Sequence, residues 1–163
     1  HGVSGTHAHR VHTAGGDELS ATVVYFDPTR DFALLNVPDL TSTGLGFAPA
    51  NRGTDAAVIG YPGGGSERIE PAVVDGAVEA VGRDIYSNNS VTRQVYVIQG
   101  RVRPDNAGGP LVDLEGRVLG IVFATSASDP NQAYALTDDE IGADLNDVRG
   151  RHPIDTSRYQ CAA

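Results

Sequence analysis

The stretch Arg103-Pro104-Asp105-Asn106-Ala107-Gly108-Gly109-Pro110-Leu111 decides the fold of this chain of 163 residues. Two consecutive glycines and a proline precede the apolar run 116–127, which predicts a buried strand. Glycine lets the backbone turn tightly, so that successive N–H groups can converge on one point. Such convergence is the geometry of an oxyanion hole beside a nucleophile. Ala107, which directly precedes the two glycines, has no nucleophilic atom.

Outward from this loop, the chain reads as short β-runs separated by turn signals. No helical period lies between the runs, which favours a sandwich or barrel over an α/β fold. The runs are rich in Val, Ile, Tyr and Phe and lie at 19–26, 31–37, 56–61, 91–102, 116–127 and 133–136. One helix is predicted near the end, because Thr137 and Glu140 form a capping box. Its apolar face comprises Ile141, Leu145 and Val148.

Composition excludes several classes of function. The formal net charge is −9 and all 12 basic residues are Arg, so the surface is expected to repel nucleic acid. No apolar run approaches the roughly 20 residues that cross a bilayer. The sequence from His1 onward does not read as a signal peptide. We predict neither a metal ion nor a cofactor.

The loop 103–111 resembles the nucleophile loop of trypsin-like serine proteases, in which Ser-Gly-Gly-Pro follows Gly-Asp or Gly-Asn. The resemblance assigns Ala107 to the nucleophile position. Asp31, which opens Asp31-Phe32-Ala33-Leu34-Leu35, resembles the orienting carboxylate, and His1, which opens His1-Gly2-Val3-Ser4-Gly5, resembles the general base. The order His, Asp, nucleophile is that of chymotrypsin. A base needs a carboxylate to hold its tautomer and a hydroxyl to deprotonate, and this chain lacks the hydroxyl.

This resemblance implies an all-β, chymotrypsin-like fold of two six-stranded antiparallel β-barrels plus a C-terminal α-helix. The N-terminal barrel is expected to be incomplete in this chain, with its missing wall supplied by sequence upstream of His1. We expect a single protease domain over 1–163. Its predicted parts are a partial N-terminal barrel (1–62), a link (63–67), a C-terminal barrel (68–136) and the helix (137–149).

Over its whole length the chain resembles the periplasmic acid-resistance proteases of mycobacteria and other actinobacteria. The stretches Val58-Ile59-Gly60-Tyr61-Pro62-Gly63-Gly64-Gly65 and Asp84-Ile85-Tyr86 narrow the resemblance to this group. It implies an extracytoplasmic domain of a membrane-anchored enzyme, with membrane helices upstream of this chain. Its partners would be protein or peptide substrates of the cell envelope, or an upstream segment of the same protein. Cys161 would form a disulfide with an upstream cysteine; an unpaired tail thiol is the alternative.

The same resemblance predicts the binding surfaces. The backbone amides of Asp105 and Ala107 would form the oxyanion hole. Asp105 replaces the glycine usual at this position, so we expect either a flipped, collapsed hole or a strained peptide. A substrate backbone would pair along 123–125, with an apolar or small side chain at the primary site. The predicted substrate-binding residues are Arg101, Asn106, Phe123, Ala124 and Thr125.

The favoured function is a serine endopeptidase that works through an acyl-enzyme and is inactive here because of Ala107. The replacement of serine is either engineered or natural. The alternative is a naturally inactive pseudoprotease that binds peptides. A remote alternative is a copper-dependent polysaccharide monooxygenase, in which His1 chelates copper and a further ligand comes from His7, His9 or His12. That alternative leaves the loop 103–111 unexplained, and the chain has no Trp and no second Cys.

Overall fold

The computed structural model describes residues 2–147 and 153–159. Within these ranges the chain folds into nine strands and one α-helix. They are β1 (His9–His12), β2 (Glu18–Asp27), β3 (Phe32–Asn36), β4 (Asp55–Gly60), β5 (Arg68–Arg83), β6 (Ser90–Gly100), β7 (Pro110–Asp113), β8 (Val118–Thr125), β9 (Gln132–Thr137) and α1 (Asp138–Asp147). Short 3₁₀ turns cover Pro62–Gly64, Pro104–Asn106 and Thr156–Arg158. The predicted all-β class with a C-terminal helix is confirmed.

The described residues divide into two compact units. The barrel unit comprises 44–80 and 92–144, and the sheet unit comprises the described residues up to 43, those from 81 to 91 and those from 145 onward. No helix in the described ranges is long and apolar enough to cross a membrane.

The barrel unit is a closed barrel with strand order β4-β5-β6-β9-β8-β7. Neighbouring strands alternate apolar side chains inward, which buries one continuous core. Its fully buried members include Val58, Val74, Ile98, Leu111, Leu119 and Val122. Helix α1 starts directly after β9, where Thr137 Oγ1 accepts the N–H of Glu140 at 3.2 Å, as the capping motif predicts. Tyr96 donates its hydroxyl to Asp138 at 3.0 Å, which ties the helix start to the barrel.

The sheet unit contains a three-stranded antiparallel sheet with strand order β1-β2-β3. The segment 153–159, called here the C-terminal strap, packs on it. The N–H of Ile154 donates to Val23 O at 2.7 Å, and the Tyr159 ring meets Phe26 edge to face at 4.9 Å between centroids. The N–H of Gly5 donates to Thr156 O at 3.0 Å. The sheet of this unit is thus formed by three of the described strands.

Strand β4 corrects the predicted division of the chain. The sequence predicts an N-terminal barrel over 1–62 and a link over 63–67, but β4 pairs with β5 and β7 inside the closed barrel. The glycine run is instead part of the turn that connects β4 to β5. Glycine-rich sequence indicates that the chain reverses there, whereas the partner of each strand is decided by distant residues.

Candidate active site

The nucleophile loop, defined here as 101–109, joins β6 to β7 in the barrel unit. Its centre is the 3₁₀ turn Pro104–Asn106. Two backbone hydrogen bonds fix the end of the loop to β8, because Gly108 N–H donates to Val122 O at 2.7 Å and Val122 N–H donates to Gly109 O at 3.0 Å. Ala107, which is exposed, is therefore presented to solvent from a rigid barrel.

Both glycines of the loop are required by its geometry. Gly108 has a φ of 90°, a region that side chains other than glycine rarely adopt. A Cβ on Gly109 would lie 2.3 Å from the carbonyl oxygen of Ile59. The Gly-Gly pair thus lets the loop lie directly against the end of β4.

The amide of Ala107 is already occupied. It donates to Pro104 O at 3.3 Å, so that carbonyl takes the N–H that an oxyanion would need. Asp105 is not among the described residues with a left-handed backbone; outside glycine these are Asp31 and Ser87. The peptide at Asp105 is therefore not strained in the left-handed region, and a collapsed oxyanion hole stays a prediction.

Asn106 lies beneath the loop with 1% of its surface exposed. Its Oδ1 accepts the N–H of Arg103 at 3.0 Å, while its Nδ2 has no acceptor among the described residues. A Cβ on Gly60 would lie 2.3 Å from this Nδ2, so Gly60 makes room for the amide. The bond to Arg103 directs the Asn106 side chain inward, where it shapes the loop, and the predicted role of Asn106 in substrate binding stays a prediction.

The other predicted substrate residues are accessible on the same barrel. Arg101 is exposed, and Phe123, Ala124 and Thr125 are half-buried on β8. Strand β7 pairs with β8 only as far as Ile121, and Val122 is taken by the nucleophile loop. The far edge of 123–125 pairs with β9, and no described strand pairs with the edge next to the loop, which has the geometry to accept a peptide backbone.

Phe123 has a charged neighbour that sequence reasoning missed. The guanidinium of Arg93 lies 5.5 Å from the centroid of the Phe123 ring, and Arg93 itself is 7% exposed. Such a contact fixes the ring by a cation–π attraction. The sequence carries no local signal for it, since the two residues lie on different strands.

Asp31 lies in the sheet unit, in the turn between β2 and β3. It is half-buried and has a φ of 59°, a conformation that is uncommon outside glycine. The turn is built by Asp27, whose Oδ1 accepts the N–H of Thr29 at 2.7 Å and whose Oδ2 pairs with Arg30 at 2.8 Å. Backbone strain of this kind is concentrated at functional sites, which is consistent with a positioned carboxylate.

Two predicted residues, His1 and Cys161, lie outside the described residues. The further histidines of the copper alternative, His7, His9 and His12, lie within the described residues. His9 lies between Thr6 Oγ1 and Thr156 Oγ1, at 3.4 and 3.3 Å, and His12 Nε2 is 3.6 Å from Glu18. Within the described ranges, no three His, Cys, Asp or Glu side chains are grouped to hold a metal ion. The copper alternative therefore gains no support from them.

Residues 1–121 match the family model described as a trypsin-like peptidase domain, and the chain belongs to this family of serine proteases. The serine protease Rv3671c (MarP) of Mycobacterium tuberculosis H37Rv is 42% identical over 146 residues, which are 88% of this chain and 37% of the relative. The predicted resemblance to trypsin-like serine proteases, and to the mycobacterial protease among them, is thereby confirmed. A probable periplasmic serine endoprotease, DegP-like, of Brucella suis is 32% identical over 144 residues, covering 83% of this chain and 27% of that protein. The chain thus spans well under half of these relatives.

Solved protease structures have the same fold as this chain. The active form of the M. tuberculosis Rv3671c protease superposes with a TM-score of 0.91 at 38% identity, covering 98% of this chain and 70% of that one. A Ser→Ala variant of Rv3671c in its inactive form superposes with a TM-score of 0.77 at 40% identity, covering 89% and 72%. The chymotrypsin-like fold is therefore shown by comparison as well as by the barrel itself.

Proposed function

We propose that this chain is the catalytic domain of an extracytoplasmic serine endopeptidase that is silenced at Ala107. The observation that carries the proposal is the glycine-built loop 101–109, which is fixed to β8 in a member of the trypsin-like peptidase family. His1 would act as general base, Asp31 would orient it, and a serine at position 107 would be the nucleophile.

With serine at 107, catalysis would proceed in two steps. The hydroxyl oxygen bonds to the carbonyl carbon of the scissile peptide while its proton passes to the imidazole of His1. The C–N bond then breaks and the departing amine takes that proton, which leaves an acyl-enzyme that water hydrolyses. Ala107 cannot form the first bond, so this chain is expected to bind substrates without cleaving them.

A collapsed oxyanion hole would lower the catalytic rate further, even with serine at position 107. Freeing the Ala107 amide from Pro104 O requires the peptide plane between Pro104 and Asp105 to rotate. Such a flip changes the φ of Asp105 by about 180° and carries it into the region that favours glycine, at a cost of roughly 1–3 kcal/mol. We therefore propose that bound substrate must supply this energy before the oxyanion hole can open.

Substrate would bind as an extra strand. The edge of 123–125 next to the loop would pair with the peptide backbone, and Phe123 and Ala124 would contact an apolar or small side chain at the primary site. An extracytoplasmic location is supported by the periplasmic DegP-like relatives. Membrane anchoring, a role in acid resistance and a disulfide from Cys161 to upstream sequence remain parts of the proposal.

The decisive experiment is the Ala107→Ser variant. We expect it to be labelled by a fluorophosphonate probe and to cleave casein, while the unchanged chain does neither. Asp31→Asn in the Ala107→Ser background is the control for the triad, and it should lose most of the cleavage. A variant that is folded but neither labelled nor active would refute the peptidase proposal.

A naturally inactive pseudoprotease is the second candidate, favoured by the occupied Ala107 amide. It predicts that the unchanged chain binds extended peptides, and that Ala107→Ser still does not react with the probe. Peptide binding by the unchanged chain, together with no labelling of Ala107→Ser, would support this candidate.

A further inference from the structure

The arginines of the barrel unit fall into two groups. Three are engaged: Arg52 pairs with Asp75 at 2.8 Å, Arg117 pairs with Asp113 at 2.6 Å, and Arg93 lies over Phe123. The other three are Arg68, Arg101 and Arg103. They are exposed, and none of them makes a side-chain ion pair within the described part of the chain.

The unpaired arginines are gathered at the nucleophile loop. Arg101 and Arg103 flank Val102, which is 6% exposed, and alternation along an extended segment turns both guanidinium groups away from the barrel core. Arg68 is paired in register with Gly60, the residue that packs against Asn106 under the loop. The arginines of the barrel unit that make no ion pair among the described residues therefore lie on the nucleophile loop or on the strand pair that packs against it.

Carboxylates near the loop include Asp105, Glu67 and Asp129; Asp129 belongs to the loop in which Asn131 O accepts the N–H of Gly100 at 2.8 Å. Glu67 is engaged, because Tyr61 donates its hydroxyl to Oε2 at 2.8 Å. Among the described residues the guanidinium groups of Arg101 and Arg103 are nevertheless exposed and make no ion pair, in a chain whose net charge is −9. An acidic protein that keeps unpaired guanidinium groups at its reactive loop can attract carboxylates there that the rest of its surface repels.

We propose that the nucleophile loop selects peptides that carry an Asp or Glu side chain beside the scissile bond, and that Arg101 and Arg103 recognise that carboxylate. This inference rests on the proposed function. The primary side chain contacts Phe123 and Ala124, and the acidic side chain occupies a flanking position. Guanidinium groups suit this role because they bind carboxylates through two parallel hydrogen bonds.

The unchanged chain tests this inference, since Ala107 allows binding without cleavage. Each set contains three fluorescent peptides that differ at one position, which holds Glu, Gln or Lys. Further sets place the varied residue at each other position of the peptide in turn. We expect a flanking Glu to bind about fivefold tighter than Gln, which is the scale of two exposed ion pairs, and Lys to bind more weakly than Gln. Raising the salt concentration to 0.5 M should remove most of the preference.

Arginine variants test whether Arg101 and Arg103 cause the preference for Glu. Arg101→Gln with Arg103→Gln should bind Glu and Gln peptides equally, while Arg52→Gln, which replaces an arginine already paired with Asp75, should keep the fivefold ratio. Equal affinity for Glu and Gln at every position, a preference for Lys, or a ratio that survives the double variant would overturn the inference.

The proposed peptidase function and the acidic preference can be refuted separately. If no peptide binds the unchanged chain, kcat/KM of Ala107→Ser for the same peptides replaces the affinity. A variant that is labelled and cleaves Glu and Gln peptides equally overturns the acidic preference and leaves the peptidase intact. A variant that is neither labelled nor active, in a chain that binds no peptide, overturns both.

Discussion

The barrel unit and the sheet unit are stabilised in different ways. The barrel is closed, so every strand has two neighbours, and its buried apolar residues form one continuous cluster. The sheet unit has three strands in a row, and Val23 and Phe26 in β2 are covered by the C-terminal strap. Closure fixes register and removes strand edges, whereas an open sheet depends on whatever segment packs on it.

The two proposed catalytic elements that the structure describes lie in different units. The nucleophile loop is held by backbone hydrogen bonds to β8 in the closed barrel. Asp31 sits in the sheet unit on a turn with a left-handed residue, built by the side chain of Asp27. Precise placement in the barrel therefore comes from strand pairing, and in the sheet unit it comes from local polar contacts and from the strap.

The largest expected effect is a cavity in the closed barrel. Leu111 has no exposed surface, and Leu111→Ala should lower the free energy of unfolding by about 3 kcal/mol, from lost burial plus an unfilled cavity. Leu114→Ala is the matched control, because Leu114 is 76% exposed three residues further along, and it should change stability by less than about 0.5 kcal/mol. Urea unfolding of both variants measures the difference; similar losses would show that the barrel core does not dominate stability.

The next effect concerns the loop that the barrel supports. In the Ala107→Ser background, Asp105→Gly should raise kcat/KM about tenfold, because glycine tolerates the φ that an open hole requires. Asp105→Ala removes the carboxylate without giving that freedom, so it should leave kcat/KM near the starting value. If the alanine variant gains as much as the glycine variant, charge rather than backbone conformation restrains the loop.

Sequence reasoning succeeded where the signal is local and failed where it depends on pairing. The Val- and Ile-rich runs predicted six strands, and the Gly-Gly pair predicted a tight loop, because both features act within a few residues. Strand β5 was missed because Pro71 and Gly76 interrupt its pattern. The burial of Asn106 was also missed, since it depends on Gly60, a residue 46 positions away in sequence that only the barrel brings near.

The third prediction tests the strap. Tyr159→Ala removes the edge-to-face contact with Phe26 and should destabilise the sheet unit by about 1 kcal/mol. Hydrogen exchange should accelerate for amides of β2 but not for those of β8. Tyr159→Phe keeps the ring and should exchange like the unchanged chain. Equal acceleration in both strands would mean that the two units do not open independently.

The smallest effect depends on pH and lies in the loop between β5 and β6, in the sheet unit. Asp84 accepts the side-chain N–H of Asn89 at 2.8 Å and the backbone N–H groups of Tyr86, Asn88 and Asn89 at 3.1, 2.9 and 3.2 Å. The Asn89 side chain, followed by these backbone donors, outweighs desolvation and lowers the pKa of Asp84 below its ordinary value.

A lowered folded-state pKa fixes the sign of the pH dependence. The ionised carboxylate stabilises the fold above the unfolded-state pKa, about 4, and this contribution is lost as pH falls through the lower folded-state value. Asp84→Asn should therefore reduce stability at pH 7 and flatten the fall in stability below about pH 4. Asp39→Asn, at an exposed carboxylate, is the control and should leave the pH profile unchanged. Measuring the free energy of unfolding between pH 7 and pH 2 distinguishes the two variants. If the Asp84→Asn profile runs parallel to that of the unchanged chain, the hydrogen bonds to Asp84 do not stabilise the sheet unit.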